Sequence, residues 1–451
     1  MSPEQENQVG AEEHEKILAQ FGLYENRAVQ DYVSAVGAKV VADTERPDVQ
    51  YKFFVLDSPV VNAFALPGGY IYISRGLLAL ANSEAELASV LGHEAGHITG
   101  RHSADRYSRG VVTSLGTSIL SAAIGQTGVS QALGIGSDLY LKSYSRSQEN
   151  EADTLGIRYM ARAGYDPKAS TSFLTSLQRY SVLENRLQGR EDEGVSYFST
   201  HPATDERVNK TRAETAAVSG GTLNREGYLQ KIDGIVYGDS ARQGFTRESE
   251  NGSDFYHPGL GFTFHVPRGY QIANGPSEVV AVAKDGPIII FDMAANPQGS
   301  DPFTYLTQGW MSGDVKLTEP ERITVNGMNA AAAAFNGQVN GKPMTIRLVA
   351  IAYAPDRFAR FQIAIPPGTG AGQMDDLKRT TYSFRGLSAV EKQQIRPYRI
   401  DIVTAGVNDT MAEMARQMPF ADYREERFAL LNDLLPGAQL QAGQRYKMVV
   451  K

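Results

Sequence analysis

The sequence predicts a multidomain α+β protein. A mainly helical domain with a small β-sheet spans 10–245, a strand-rich α+β domain spans 250–390, and a βααβ module spans 397–451. Three observations lead there. Apolar residues recur at helical spacing through much of the first half of the chain. Between Phe255 and Phe384, short β-rich runs follow one another, separated by Gly, Pro and Asn turns. From Arg399 the pattern reads strand, helix, helix, strand. A chain of 451 residues also exceeds what one core usually organises.

Ile17, Leu18 and Phe21, then Val29, Tyr32, Val33, Val36 and Val40, mark two helices. A β-rich run at Tyr51–Leu56 follows. A second such run is broken by Pro67-Gly68-Gly69, a turn signal that predicts a hairpin. Ser83 and Glu86 have the spacing of a capping box, and Leu87, Val90, Leu91 and Ile98 continue at helical period. Gly100 is placed to stop that helix. The run "SRSQENEADTLGIRYMARAG" reads as a helix ending at Gly164, and Asp166-Pro167 opens another reaching about Leu187. "GREDEG" reads as a loop, and Pro202 stands near the start of a further helix. In the middle domain, "FTFHV", "EVVAVA", "PIIIFDM", "ERITVNG", "TIRLVAIAY" and "FARFQIAI" read as strands, and "RGLSAVEKQQIRP" reads as a linker.

Composition excludes several classes of function. The net charge is −7, whereas a nucleic-acid binder needs a basic surface. With no Cys, thiol catalysis, disulfides and Cys-ligated zinc are out. The acidic N-terminus has neither a basic n-region nor an apolar h-region, which is expected of a mature form whose signal peptide has been removed. Residues 111–137 carry no charge, but Ser, Thr, Gly and Gln interrupt them throughout. They are expected to form a lid or buried helix, with peripheral membrane contact as the alternative.

The chemistry concentrates in "GHEAGH", residues 92–97. His93 and His97 are four apart, so on a helix both imidazoles reach one ion, while Glu94 reaches water at that ion without ligating it. This predicts one Zn2+ per chain with Glu94 as general base. Catalytic zinc takes three protein ligands and an open position. His102 is only five residues past His97 and is expected on the polar surface near the end of that helix. "ENEAD" is the better source. Glu149 and Asp153 share a helix face, so one carboxylate can bind metal while the other accepts an N–H from a ligand histidine; Glu151 is the runner-up ligand. His201 and Arg207, in "THPATDER", are candidates to stabilise the oxyanion.

"GHEAGH", "SRSQENEAD", "STHP" and "VNAFALPGGYIYISRGLL" together resemble the zinc metalloprotease family of the CAAX prenyl-protein endopeptidases, in its soluble bacterial-envelope branch. The resemblance covers roughly residues 10–215 and implies a mainly helical, gluzincin-type peptidase domain. It implies Glu149 as third ligand, Asp153 behind the ligands, and Asn62 and Ala63 as substrate-binding positions on an exposed strand edge. It places His201 near the metal, as a catalytic donor or as a reversible ligand that shuts the site. The implied location is the periplasm or cell envelope, with protein or peptide substrates, misfolded or misassembled envelope proteins foremost. The C-terminal piece, with "VNDTMAEMARQM" and "LLNDLLPGAQLQAGQRYKMVV", resembles a LysM module and implies contact with peptidoglycan; Asn408 departs from the Gly of that pattern. The alternative reading is a chaperone-like or cell-wall-binding envelope protein whose zinc site is kept closed.

Overall fold

The computed structural model describes the chain except for residues 115–143, 188–200, 202–203, 217, 219, 276, 284–285, 297, 311–314 and 340. The described residues form two units. One takes in the described chain up to Ser240 together with Pro397–Lys451, and the other takes in Ala241–Arg396.

Local sequence explains the start of the first unit. Helix α1 (Pro3–Phe21) begins at Ser2, which forms a capping box with Gln5. Helix α2 (Arg27–Val41) begins at Asn26 and buries Val29, Val33, Val36 and Val40 along one stripe. Strands β1 (Lys52–Leu56), β2 (Ala63–Leu66) and β3 (Tyr70–Ser74) form a sheet in the order β1-β3-β2. The expected hairpin joins β2 and β3. Gly68 and Gly69 turn at φ +78 and +90, which a side chain would resist. This order leaves β2 as an edge strand.

After α3 (Arg75–Leu80), helix α4 (Glu84–Thr99) carries the GHEAGH residues. Ser83 caps it by accepting from Glu86 N, as expected. The capping box is not completed: the Glu86 carboxylate accepts from Asn82 N at 2.6 Å instead. Leu87, Leu91, Ala95 and Ile98 are buried, and so are Glu86, Glu94 and His97. A helix buried on nearly all sides obliges its polar residues to find partners. Helices α5 (His102–Ser114), α6 (Arg146–Arg162), α7 (Lys168–Leu187), α8 (Asp205–Ala216) and α9 (Arg225–Ile232) surround it, and the short strand β4 (Val236–Tyr237) follows. The "GREDEG" loop and Pro202 lie outside the described residues, as does nearly all of the charge-free stretch 111–137, with the lid or membrane contact expected of it. Among the described residues, no helix is long and apolar enough to cross a membrane.

The second unit is strand-rich, as predicted. Strands β5 (Phe245–Ser249), β6 (Gly252–His257) and β7 (Phe262–Pro267) belong to one sheet. Strands β8 (Tyr270–Asn274), β9 (Glu278–Ala283), β10 (Ile288–Ala295), β11 (Thr318–Val325), β12 (Met328–Val339), β13 (Lys342–Ala354) and β14 (Arg357–Ile365) form a seven-stranded antiparallel sheet. Phe262, Phe264, Phe291, Phe361 and Phe384 pack between them, with Phe264 and Phe291 rings 4.7 Å apart. Helix α10 (Ala371–Ser383) closes this core through Leu377. The expected linker is partly folded. Arg385-Gly386 joins the first sheet as β15, and the Ser388–Glu391 capping box starts α11 (Ala389–Gln394).

The C-terminal segment has the βααβ order read from the sequence: β16 (Tyr398–Thr404), α12 (Met411–Arg416), α13 (Arg424–Leu431) and β17 (Arg445–Val450), with β16 and β17 antiparallel. Its place differs from that of a free-standing module. β16 pairs with β4, and Met411, Met414, Phe428, Leu431 and Met448 join the same core as Val36, Leu78 and Leu91. A segment this short buries too little apolar surface alone, and sharing a core supplies the rest.

Candidate metal centre

Helix spacing sets the first two donors. His93 and His97 are stacked on one face of α4, with their Nε2 atoms 3.1 Å apart. Helix α6 packs against that face and brings Glu149, whose carboxylate oxygens lie 3.5 Å from His93 Nε2 and 3.4 Å from His97 Nε2. The approach depends on small residues. A Cβ on Gly156 would lie 2.8 Å from His93 N, and one on Gly96 would lie 2.9 Å from Ala152 O. We therefore expect Gly156→Ala to push α6 away, lower stability by about 1–3 kcal/mol and weaken metal binding. Denaturant unfolding and zinc competition measure the two effects, and an unchanged zinc affinity would count against this account of the packing.

His201, just before α8, completes the group. Its Nδ1 is 2.8 Å from Glu149 Oε1 and 3.3 Å from His93 Nε2. One ligand atom from each of His93, His97, Glu149 and His201 falls within 4.8 Å of all the others. A zinc tetrahedron with bonds of about 2.1 Å has edges of about 3.4 Å, so the observed separations fit one such ion. The structure thus brings His93, His97 and Glu149 together, with His201 at ligand distance beside them.

Behind the donors lies a buried carboxylate–guanidinium pair. His93 Nδ1 faces Asp153 Oδ1 at 2.9 Å, the orienting contact expected of Asp153. Arg207 directs Nε and Nη2 to Asp153 at 2.9 and 2.8 Å, and Nη1 to Glu149 Oε2 at 2.8 Å. The sequence makes Arg207, with His201, a candidate to stabilise the oxyanion. Its guanidinium is instead engaged with these two carboxylates, and two buried anions are what hold it there.

The electrostatics suit a cation. Burial holds the His97 imidazole well below its usual range, in the neutral form that offers a lone pair. Burial would push the Glu149 carboxyl up, but His201, by charge and hydrogen bond, and the His93 and His97 hydrogen bonds keep it well below. Burial likewise opposes charge on His93, yet Asp153 and Glu149 outweigh it and raise that group to about 10.

Glu94 lies just outside the donor group. Its Oε1 is 3.7 Å from His201 Nε2, and among the described residues its buried Oε2 has no hydrogen-bond partner, as expected of an acceptor meant for something that comes and goes. Asn62 and Ala63, at the start of edge strand β2, line the same cleft as His93, Glu94 and His201. Leu77, Val90, Ile157, Phe173 and Leu177 give that cleft an apolar wall.

Two residues that matter here were missed or misplaced by the sequence reading. His102 is buried against His97, not on the polar surface. Tyr144 stacks on the His97 ring at 3.8 Å and 17°. Only the density of histidines in "HEAGHITGRH" could have hinted at the first, and no local signal marked the second.

Comparison with known proteins agrees with this geometry. Residues 27–215, under half of the chain, match the model of Peptidase family M48. The mitochondrial metalloendopeptidase OMA1 of Schizosaccharomyces pombe is 28% identical over 46% of this chain and 59% of its own length. The beta-barrel assembly-enhancing protease of Yersinia pestis is 29% identical over 47% of this chain and 44% of its own. A putative beta-barrel assembly-enhancing protease of Vibrio cholerae is 33% identical over 41% and 38%. The chain thus spans about half the length of these relatives. A zinc metalloendopeptidase is the enzyme class that these similarities support.

Proposed function

We propose that this protein is a zinc-dependent endopeptidase of the bacterial periplasm or cell envelope that hydrolyses misfolded or misassembled envelope proteins. The observation that supports it most is the convergence of His93, His97 and Glu149 beside Glu94, whose buried Oε2 has no hydrogen-bond partner among the described residues. The zinc, when bound, polarises the scissile carbonyl and acidifies a water. Glu94 takes the proton of the attacking water and hands it to the leaving amine. Asp153 and Arg207 hold the ligands in place. The edge of β2 at Ala63, with Asn62 beside it, holds an extended peptide by main-chain hydrogen bonds. The names of the bacterial relatives support the envelope location and the choice of substrate. The finer resemblances to the soluble CAAX-endopeptidase branch and to LysM belong to the same proposal. So do peptidoglycan contact through residues 399–451, testable by pull-down, and peripheral membrane contact through 111–137.

Zinc content and casein cleavage test the reading. We expect wild-type protein to hold one zinc and to lose cleavage on chelation, and Glu149→Ala to lose both metal and activity. Full zinc retention in Glu149→Ala would sink its assignment as third ligand. The four-donor group also supports a second reading, in which His201 closes the site of a chaperone-like or cell-wall-binding protein. Since His201 Nδ1 already stands at ligand distance, we expect His201→Ala to cleave casein faster than wild type. Slower cleavage would assign His201 to the oxyanion instead.

A further inference from the structure

We propose that His102 is a positioning residue for zinc ligand His97, fixing its tautomer and ring orientation through the hydrogen bond between their Nδ1 atoms, with the Glu151 carboxylate facing His102 from beyond. The inference rests on the metal reading above and extends it to residues outside the donor group. His97 Nδ1 and His102 Nδ1 are 3.0 Å apart. Two facing ring nitrogens hold together only if one donates and the other accepts. His97 Nε2 points into the donor group, where a ligand must offer its lone pair, so the His97 proton lies on Nδ1 and is donated. His102 Nδ1 then accepts, which puts the His102 proton on Nε2. That atom faces Glu151 Oε2 at 3.4 Å. Each proton has one consistent place along the chain, and the carboxylate stands at its outer end.

The fold is built around this contact. α4 stops at Gly100, and Arg101 turns the backbone at φ +58, an unusual conformation for a side-chain residue. His102 is thereby returned beside the last turn of α4. A Cβ on Gly100 would stand 2.6 Å from His102 Nε2, so the glycine leaves room for the ring. On its other face the His97 ring is stacked by Tyr144, whose hydroxyl meets Ser103 Oγ at 3.0 Å. Ser103 in turn donates to Ala65 O of β2 at 3.1 Å. His97 is thus gripped at its edge by His102 and on its face by Tyr144, as His93 is held by Asp153.

The test is zinc affinity of the full chain, by competition with a chromogenic chelator, in wild type, His102→Phe and His102→Asn. Phe keeps the ring volume and removes the acceptor; the Asn amide can turn its oxygen toward His97 Nδ1. We expect His102→Phe to weaken zinc binding by about 10- to 100-fold, and His102→Asn to restore most of it. Nitrogen-15 shifts of the His97 ring should report the Nδ1–H tautomer in wild type and His102→Asn and a tautomer mixture in His102→Phe. Wild-type zinc affinity in His102→Phe, or equal weakening in both variants at unchanged thermal stability, would overturn this inference alone. Wild-type protein that takes up no zinc would overturn the metal reading with it.

Discussion

Glu94→Gln will abolish peptide cleavage and leave the zinc in place. Glu94 is one residue round the helix from His93, so its carboxylate stands beside the donor group without entering it. It is buried, and among the described residues Oε2 has no hydrogen-bond partner. A glutamine there keeps the volume and loses the ability to take a proton. General-base removal costs on the order of 10²- to 10⁴-fold in rate, or about 3–5 kcal/mol in the barrier. Metal analysis should show one zinc in the variant, and its unfolding midpoint should stay within a few degrees of wild type. Retained cleavage would remove Glu94 from the mechanism. Lost zinc would mean that it helps to hold the metal.

Lys447→Met will destabilise the first unit from its C-terminal segment. Lys447 sits in β17 with its ammonium fully buried, donating to Ala79 O at 2.8 Å, Leu80 O at 3.1 Å and Ala81 O at 2.7 Å. These carbonyls close α3 and lead into the cap of α4. Helix ends leave such groups without intrahelical partners, and a cation there also meets the negative end of the helix dipole. Burial pushes the Lys447 ammonium down and the Glu86 charge opposes that, while Asn432 holds the Lys447 backbone on both sides. Methionine fills the space and takes the ammonium from Ala79 O and Ala81 O, while Leu80 O keeps its bond from Asn82 Nδ2 at 3.0 Å. We expect a loss of about 3–5 kcal/mol, read from denaturant unfolding of the zinc-loaded protein. Removing residues 397–451 should prevent the unit from folding and taking up zinc, because Phe428, Leu431 and Met448 leave the core as well. A folded, zinc-loaded protein ending at Arg396 would show that the segment is separable after all.

These two expectations differ in how far the sequence foresaw them. Glu94, His93 and His97 were legible because an i, i+4 spacing acts within one helix, and Ser83 and Gly100 bounded that helix as read. Glu149 and Asp153 were legible as a pair for the same reason. Lys447 was not, since nothing near "QRYKMVV" says that its ammonium will end among carbonyls more than 360 residues earlier in the chain. The capping box at Ser83 failed for a related reason. Local spacing allowed Glu86 to return to the cap, but Asn82 N was there to be satisfied.

By itself the sequence determined which side chains share a helix face, where most helices and strands lie, and that His93 and His97 stand together next to Glu94. Those properties depend on periodicity and on bonds between near neighbours. Only the tertiary structure decided which distant groups those faces meet: Glu149 and His201 at the histidines, Arg207 on the carboxylates, His102 and Tyr144 around His97, and Lys447 beneath α3. Burial is the reason. Once α4 is enclosed, nearly all of its polar atoms must be paired, and the partner is whichever group the packing of distant segments brings within reach.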